Sequence, residues 1–369
     1  MWDELTSYLD GFLAYGIPGF DCVVYSGGRE VYRHWNGFRD IARTVPIDGS
    51  ESYYLYSASK PITCTAALQL YEKGAFRLED PLYLYMPEFK DMYVKDNGSI
   101  RKAKKHITIE NLFCMTAGFS YDVWSEQLKK ARLETNGTCP TREVMRYLAE
   151  EPLEFEPGER WLYSLCHDVL AALVEALSGE KFSRYVVEYI FKPLNMKNSS
   201  FAAVDSGNLT PQYDMAGGTI RQCTGGIQSF KLGSDYESGG AGCASTVEDY
   251  IKFCEALRQD GCILKKETIE MMAKNHLNEQ CLRTYNWETI RHYGYGLGVR
   301  CPLTDGKRSD FGWGGMAGSF LGIDRKHGFS VFYAQHVLHS PVQNLRPHLI
   351  ELVADAVKKW GLTTKSNGL

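Results

Sequence analysis

The sequence predicts an α+β fold in which both ends of the chain build one antiparallel sheet and a mainly helical lobe fills the middle. Three observations carry this. Two extended stretches, Asp21 to Tyr25 and Glu30 to Trp35, are joined by Ser26-Gly27-Gly28-Arg29, and paired glycines supply the positive φ that a tight hairpin requires. From Ser57 to about Leu257 the apolar spacing is mainly helical. Beyond it, Tyr293 to Arg300, Phe320 to Asp324 and Phe329 to Val337 read as strands, punctuated by Gly, Asp, Lys and His. An N-terminal helix reaching about Tyr15 and a C-terminal one from about Pro347 to Trp360, ended by Gly361, are placed to cover that sheet. Residues 1–56 and 245–369 then form a discontinuous sheet domain and residues 57–244 a helical one, with the active site at their interface.

Within the helical part, Pro61 to Lys73 carries Ile62, Ala66 and Leu70 inward and stops at Gly74, a favourable C-terminal cap. Leu165 to Leu177 presents Val169, Leu170, Leu173 and Val174 on one face and closes at Ser178-Gly179. Ser245-Thr246-Val247-Glu248 reads as a capping box that opens a further helix. The stretch Gly207 to Gly242, rich in Gly, Ser, Asp and Thr, reads as a long surface loop that, with Tyr121 to Cys139, shapes a pocket.

The chain has 369 residues, 44% of them hydrophobic and 23% charged. That excludes a long disordered or collagen-like chain and fits roughly two domains. With 41 basic against 45 acidic residues and a net charge of -4, it lacks the basic face a nucleic-acid binder needs. The run Arg101-Lys102-Ala103-Lys104-Lys105 reads as a solvated loop. No apolar stretch approaches the ~18–20 residues of a membrane span. Asp3, Glu4 and Asp10 interrupt the N-terminal apolar residues, which a secretory signal does not tolerate, so a cytoplasmic protein is expected. Its 11 cysteines are expected to be reduced and mostly buried. Neither C-x-x-C nor H-E-x-x-H occurs, so no metal or other cofactor is expected.

The sharpest chemical signal is Tyr56-Ser57-Ala58-Ser59-Lys60-Pro61. A serine three residues before a lysine at a helix start shares a face with it. A hydroxyl becomes a nucleophile when a neighbour takes its proton, and an amine can do so where burial disfavours its charged form. The helix N-terminus adds free amides suited to an oxyanion. About a hundred residues on, Tyr163 precedes an amphipathic helix, and a phenol near an ammonium can relay a proton. Trp313-Gly314-Gly315-Met316 leads into a strand; its glycines let backbone approach a ligand, so the Met316 amide could complete an oxyanion hole with that of Ser57. No G-x-S-x-G occurs, and Gly312-x-Gly314-x-x-Ala317 is followed by a strand, so α/β-hydrolase and dinucleotide-loop readings fail.

At these three positions the sequence resembles the serine β-lactamase and penicillin-binding-protein superfamily, in particular the class C β-lactamase-like branch that includes the family VIII carboxylesterases. Further matches follow in order: Leu78-Glu79-Asp80-Pro81, Ile107 to Leu112 before Thr116-Ala117-Gly118, Pro193-Leu194-Asn195-Met196, Gly239-Gly240-Ala241-Gly242 and Tyr295-Gly296-Leu297-Gly298. The resemblance implies a β-lactamase/transpeptidase-like fold, Ser57 as acylated nucleophile, Lys60 as its base and Tyr163 as second proton carrier.

Two departures bear on substrate. Leu165 stands where class C enzymes carry an asparagine that donates to the substrate amide. Trp313 stands where a lysine or histidine would pair with a substrate carboxylate. Losing a charge-assisted contact costs roughly 1.5–3 kcal/mol, so a neutral acyl ester is the expected small-molecule substrate. The expectation is a serine carboxylesterase on short or medium acyl chains, with acyl transfer open. Two alternatives remain: an amide-directed relative (D-amino-acid peptidase, D-alanyl carboxypeptidase or weak β-lactamase), and a non-catalytic binding protein of this fold. The catalytic reading requires that an amine and a phenol both touch one hydroxyl.

Overall fold

A computed structural model describes residues 1–201, 208–223, 230–304 and 306–366. Its main sheet has four antiparallel strands in the order Phe320–Asp324, Phe329–Ala334, Gly19–Ser26, Arg29–Gly37. The chain's two ends therefore meet in the centre, with Cys22 opposite Tyr333 and Val23 opposite Phe332. Gly27 and Gly28 turn the hairpin at φ 62° and 77°, values that cost other residues strain.

Side-chain alternation decides which layer each face meets. Cys22, Val24 and Tyr333 join one core with Leu5, Leu9, Leu349 and Val353 of the terminal helices. Val23 and Phe332 face the other way, into the main core, where the Tyr250 ring stacks on Phe332 at 4.2 Å. Tyr250 belongs to the helix Val247–Arg258, which covers that face. The same core runs on into the helical lobe, where Ser59–Glu72 lies against Cys166–Ser178. Fully buried alanines (Ala66, Ala67, Ala171, Ala172) on these two helices permit close approach.

Several boundaries differ from expectation, each for a local reason. Tyr293 to Arg300 is two strands, Tyr293–Tyr295 and Arg300–Pro302, folded back on each other. Gly298 turns the chain at φ 89°, and Gly296 sits where a Cβ would meet the Met272 carbonyl oxygen at 2.0 Å. The capping residue is Thr246, accepting from the Asp249 amide at 3.1 Å, because the Ser245 hydroxyl is taken by Ser199 at 2.7 Å. The last helix spans Leu349–Ser366 and passes through Gly361. The first α-helix ends at Asp10 and tightens to a 3₁₀ turn over Gly11–Tyr15.

Arg101 and Lys102 are not in a loop but in the strand Ser99–Lys102, paired with Asp96, Glu156 and Asp91. Of the stretch from Gly207 to Gly242, residues 207 and 224–229 lie outside the described residues. The remainder holds two short strands, Tyr213–Asp214 and Arg221–Gln222, which join Val337–Leu338 in a small sheet. Among the described helices none is long and apolar enough to cross a membrane. The cysteines are unpaired, and all but Cys223 and Cys262 are buried.

Candidate active site

Ser57 sits in the 3₁₀ turn Tyr56–Ala58 that runs directly into Ser59–Glu72. Tyr56 adopts φ 48°, a left-handed conformation that is strained for an aromatic residue. Contacts on both sides hold it: the Gln212 amide donates to the Tyr56 hydroxyl at 2.5 Å, and the Tyr250 hydroxyl donates to the Ala58 carbonyl at 2.6 Å. The turn is thereby fixed with its serine facing the cleft.

One helical turn on, Lys60 is fully buried. Its amine donates to the Gly240 carbonyl at 2.7 Å and lies 3.3 Å from the Tyr121 hydroxyl and 3.4 Å from Ser57 Oγ. A buried ammonium needs such acceptors. The glycine run supplies one by lying hard against two helices: a Cβ at Gly239 would meet the His167 carbonyl oxygen at 2.3 Å and the Ala171 side chain at 2.7 Å.

Tyr163 stands on an extended segment pinned by the Leu162 amide to the Met115 carbonyl (3.0 Å) and the Leu165 amide to the Ser120 carbonyl (3.2 Å). Its ring is 4.5 Å from Lys60 Nζ and stacks on Tyr121 with centroids 5.4 Å apart. Its hydroxyl accepts from the Trp313 indole N–H at 3.3 Å. Among the described residues no hydrogen bond joins it to Ser57. The amine touches the serine; the phenol, contrary to expectation, has its face toward the amine and its ring stacked on the indole, with centroids 5.8 Å apart.

Trp313-Gly314-Gly315-Met316 extends the sheet beyond Phe320–Asp324, with bridges at Phe311–Ile323 and Gly314–Phe320. Gly315 must be glycine, since a Cβ would lie 2.1 Å from the Leu55 carbonyl oxygen. This close approach, with the Ser319 hydroxyl donating to the same carbonyl at 2.8 Å, locks the loop to the residue that leads into the Ser57 turn. The Gly315 amide is spent on the Ser319 carbonyl and that of Gly318 on the Gly315 carbonyl, whereas the Met316 amide has no backbone acceptor among the described residues.

The cleft has a volume of about 370 Å³, and its lining includes Ser57, Tyr121, Tyr163, Trp287, Trp313 and Met316. Gly314 and Gly315 line it as well, but Leu165 does not: its side chain is buried in the main core. Reading the sequence alone misses two contributors and does not single out a third. Tyr121 opens the segment expected to shape the pocket, and lines it, but that segment has no periodic pattern. Asp168 is hidden inside an apolar helix. Arg346 is a buried guanidinium, pushed down to about 10 by burial, that donates to the carbonyls of Gly315 (3.2 Å) and Ser319 (2.5 Å). The available signal for Asp168 is a charged residue in an otherwise apolar helix, whereas Arg346 lies among polar residues and gives none.

Potential metal ligands converge elsewhere, where Glu110, Cys114 and His276 have ligand atoms within 4.8 Å of one another. None lines the cleft. Both His276 nitrogens already face acceptors, Nδ1 the Glu110 carboxylate at 2.8 Å and Nε2 the Met271 carbonyl at 3.0 Å.

A split antiparallel sheet and a helical lobe are features of the β-lactamase fold. The chain belongs to the Beta-lactamase family, whose sequence model matches residues 5–355. Esterase EstB of Burkholderia gladioli is 27% identical over 348 residues, covering 85% of each chain. Acyltransferase mokF of Monascus pilosus is 28% identical over 325 residues, 81% of this chain and 76% of that one. Among solved structures, EstCE1, described as a hydrolase with promiscuous acyltransferase activity, superposes with a TM-score of 0.77 at 23% identity over 96% of this chain and 98% of that one.

Proposed function

We propose that this protein is a serine carboxylesterase acting on small, neutral esters of short or medium acyl chains, and that Ser57, Lys60 and Tyr163 carry its chemistry. The observation that carries the reading is a buried amine 3.4 Å from the Ser57 hydroxyl at the foot of an aromatic cleft. As Ser57 Oγ attacks the ester carbonyl carbon, the Lys60 amine takes its proton. The tetrahedral oxyanion accepts from the Ser57 and Met316 amides; one such donor contributes about 10²–10³ in rate. The C–O bond to the alcohol then breaks, the alcohol leaves with a proton passed from Lys60 through Tyr163, and the acyl group stays on Ser57. Water, activated by the same pair, releases the acid and restores the serine.

The Trp313 N–H supports Tyr163 in this role by holding its phenol oxygen in place. Lining residues from 245–369 on one side and from 57–244 on the other support a cleft at the junction of the sheet domain (1–56 and 245–369) and the helical one. Esterase and acyltransferase relatives support ester chemistry, with a second alcohol replacing water in the transfer variant. The unpaired, mostly buried cysteines support a reducing, cytoplasmic setting.

The test is a side-by-side panel of p-nitrophenyl butyrate, nitrocefin and a D-Ala-D-Ala peptide, with Ser57→Ala as control. Ester turnover that dominates the panel and vanishes in Ser57→Ala is expected. Faster turnover of the lactam or the peptide points to the amide-directed alternative. No fluorophosphonate adduct in the unaltered protein points to a non-catalytic binding protein.

A further inference from the structure

Asp168 lies five residues after Tyr163, is buried (1% exposed), and has no part in the mechanism above. Its Oδ1 accepts from the Tyr236 hydroxyl at 2.9 Å and the Ser238 hydroxyl at 2.7 Å. Its Oδ2 has no side-chain partner among the described residues, and the Gly240 backbone amide interacts with the carboxylate. That second oxygen is aimed at Gly240, where a Cβ would meet it at 2.6 Å and meet Lys60 Nζ at 3.3 Å. Carboxylate and amine thus face each other across a single glycine, with no side chain between them. The loop anchored by Asp168 at Tyr236 and Ser238 is the one whose Gly240 carbonyl accepts from Lys60. Ser238 also takes the Ala241 amide at 3.0 Å, so the anchor and the acceptor form one rigid turn.

A buried carboxyl without a cation prefers its neutral form. Burial raises Asp168, and the Ser238 hydroxyl, the Lys60 charge and the Tyr236 hydroxyl oppose it. The other titratable groups facing the pair are the phenols of Tyr121, Tyr163 and Tyr236, the thiols of Cys64 and Cys166, and His167. Burial raises Tyr121, Tyr236 and both thiols. Burial, reinforced by the Lys60 charge, lowers His167 to about 3. Asp168 is the carboxyl facing Lys60, raised on balance by burial, with the Lys60 charge among the causes that oppose the rise.

We propose that Asp168 is a positioning residue, the buried counter-charge of Lys60, which through the Tyr236–Gly240 turn also fixes the carbonyl that aims the amine at Ser57. The inference rests on the reading of Lys60 as base. Opposite charges favour each other's ionised forms, so removing the carboxylate's charge is expected to change the pH at which Ser57 becomes reactive. Asp168→Asn keeps the shape and one acceptor oxygen while removing the charge.

The experiment is the pH dependence of fluorophosphonate labelling, a readout of Ser57 activation that needs no turnover. With Asp168→Asn the acid limb is expected to move to lower pH by at least one unit. A merely structural role lowers the plateau without moving the limb, and an unmoved limb in the folded variant overturns the proposal. If the unaltered protein is not labelled at any pH, the reading of Ser57 and Lys60 fails and this inference falls with it. Should Asp168→Asn not fold, Lys60→Met probes the same pairing from the other side, by reciprocity. A carboxylic-acid infrared band should appear in Lys60→Met at neutral pH, absent from the unaltered protein. No new band means that Asp168 does not depend on the amine, which overturns the proposal.

Discussion

Lys60 is where burial and chemistry conflict most directly: a cationic side chain with no exposed surface, held by one carbonyl at 2.7 Å and two hydroxyls at longer range. Removing it leaves the Ser57 proton without an acceptor, so Lys60→Ala should lower kcat/KM on p-nitrophenyl butyrate at least a hundredfold. Tyr163→Phe should do the same. Trp313→Phe keeps the wall of the cleft but deletes the N–H that reaches Tyr163. Its expected signature is a roughly tenfold fall in kcat with KM nearly unchanged, about the value of one hydrogen bond; a change confined to KM would count against it. The serine–lysine adjacency was legible because helical spacing is geometry, independent of tertiary context. Tyr121 was not legible, because one tyrosine among 23 in an aperiodic segment carries no signal until folding stacks it on Tyr163. Leu165 reads as a cleft residue from its place beside Tyr163, yet the turn into the helix at Cys166 sends its side chain inward.

Short connecting elements govern how far apart the reacting groups sit. The turn from Gly312 to Ser319 is held from below by Leu55 and from above by Gln343, which donates to the Met316 carbonyl, and by Arg346. Gly315→Ala would drive a methyl into the Leu55 carbonyl and push the Met316 amide away from Ser57. Turnover should fall about 10²–10³-fold, the value of an oxyanion donor, with fluorophosphonate labelling slowed in parallel. Arg346→Met keeps much of the side-chain bulk but frees two carbonyls, and should lower the melting temperature and kcat together. At this scale the sequence announced strands and helices with strong periodicity and blurred their ends. The fold-back between Tyr293 and Pro302 hides in an apolar run because its reason is a distant carbonyl, that of Met272. Gly361 reads as a stop, but glycine in a helix costs only about 1 kcal/mol and the helix continues through it.

For the molecule as a whole, two cores share one sheet, and alternation along the central strands assigns each side chain to one of them. That alternation, with turn glycines and helical spacing, made the split architecture readable before any contact was known. Long-range polar contacts were not readable. His167 and His336 are buried and held neutral, at about 3 and about 4, burial being the main cause in each. The unfolded chain binds protons at both near the ordinary histidine range, so stability is full above that range and is lost as pH falls toward the folded values. Each imidazole should subtract up to about 1.4 kcal/mol per pH unit there. Urea unfolding at pH 7, 6 and 5 should show a steep decline, shallower in His336→Gln; identical slopes would contradict this.

The indole of Trp287 is 42% exposed at the cleft and lies 5.0 Å from the Tyr163 ring, edge to face. An arriving ligand must strip water from that ring without breaking any bond of the framework. The protein therefore carries its own optical gauge of occupancy: tryptophan emission that shifts on mixing with a non-hydrolysable ester analogue, and loses the shift in Trp287→Phe, would time entry and departure separately from bond breaking.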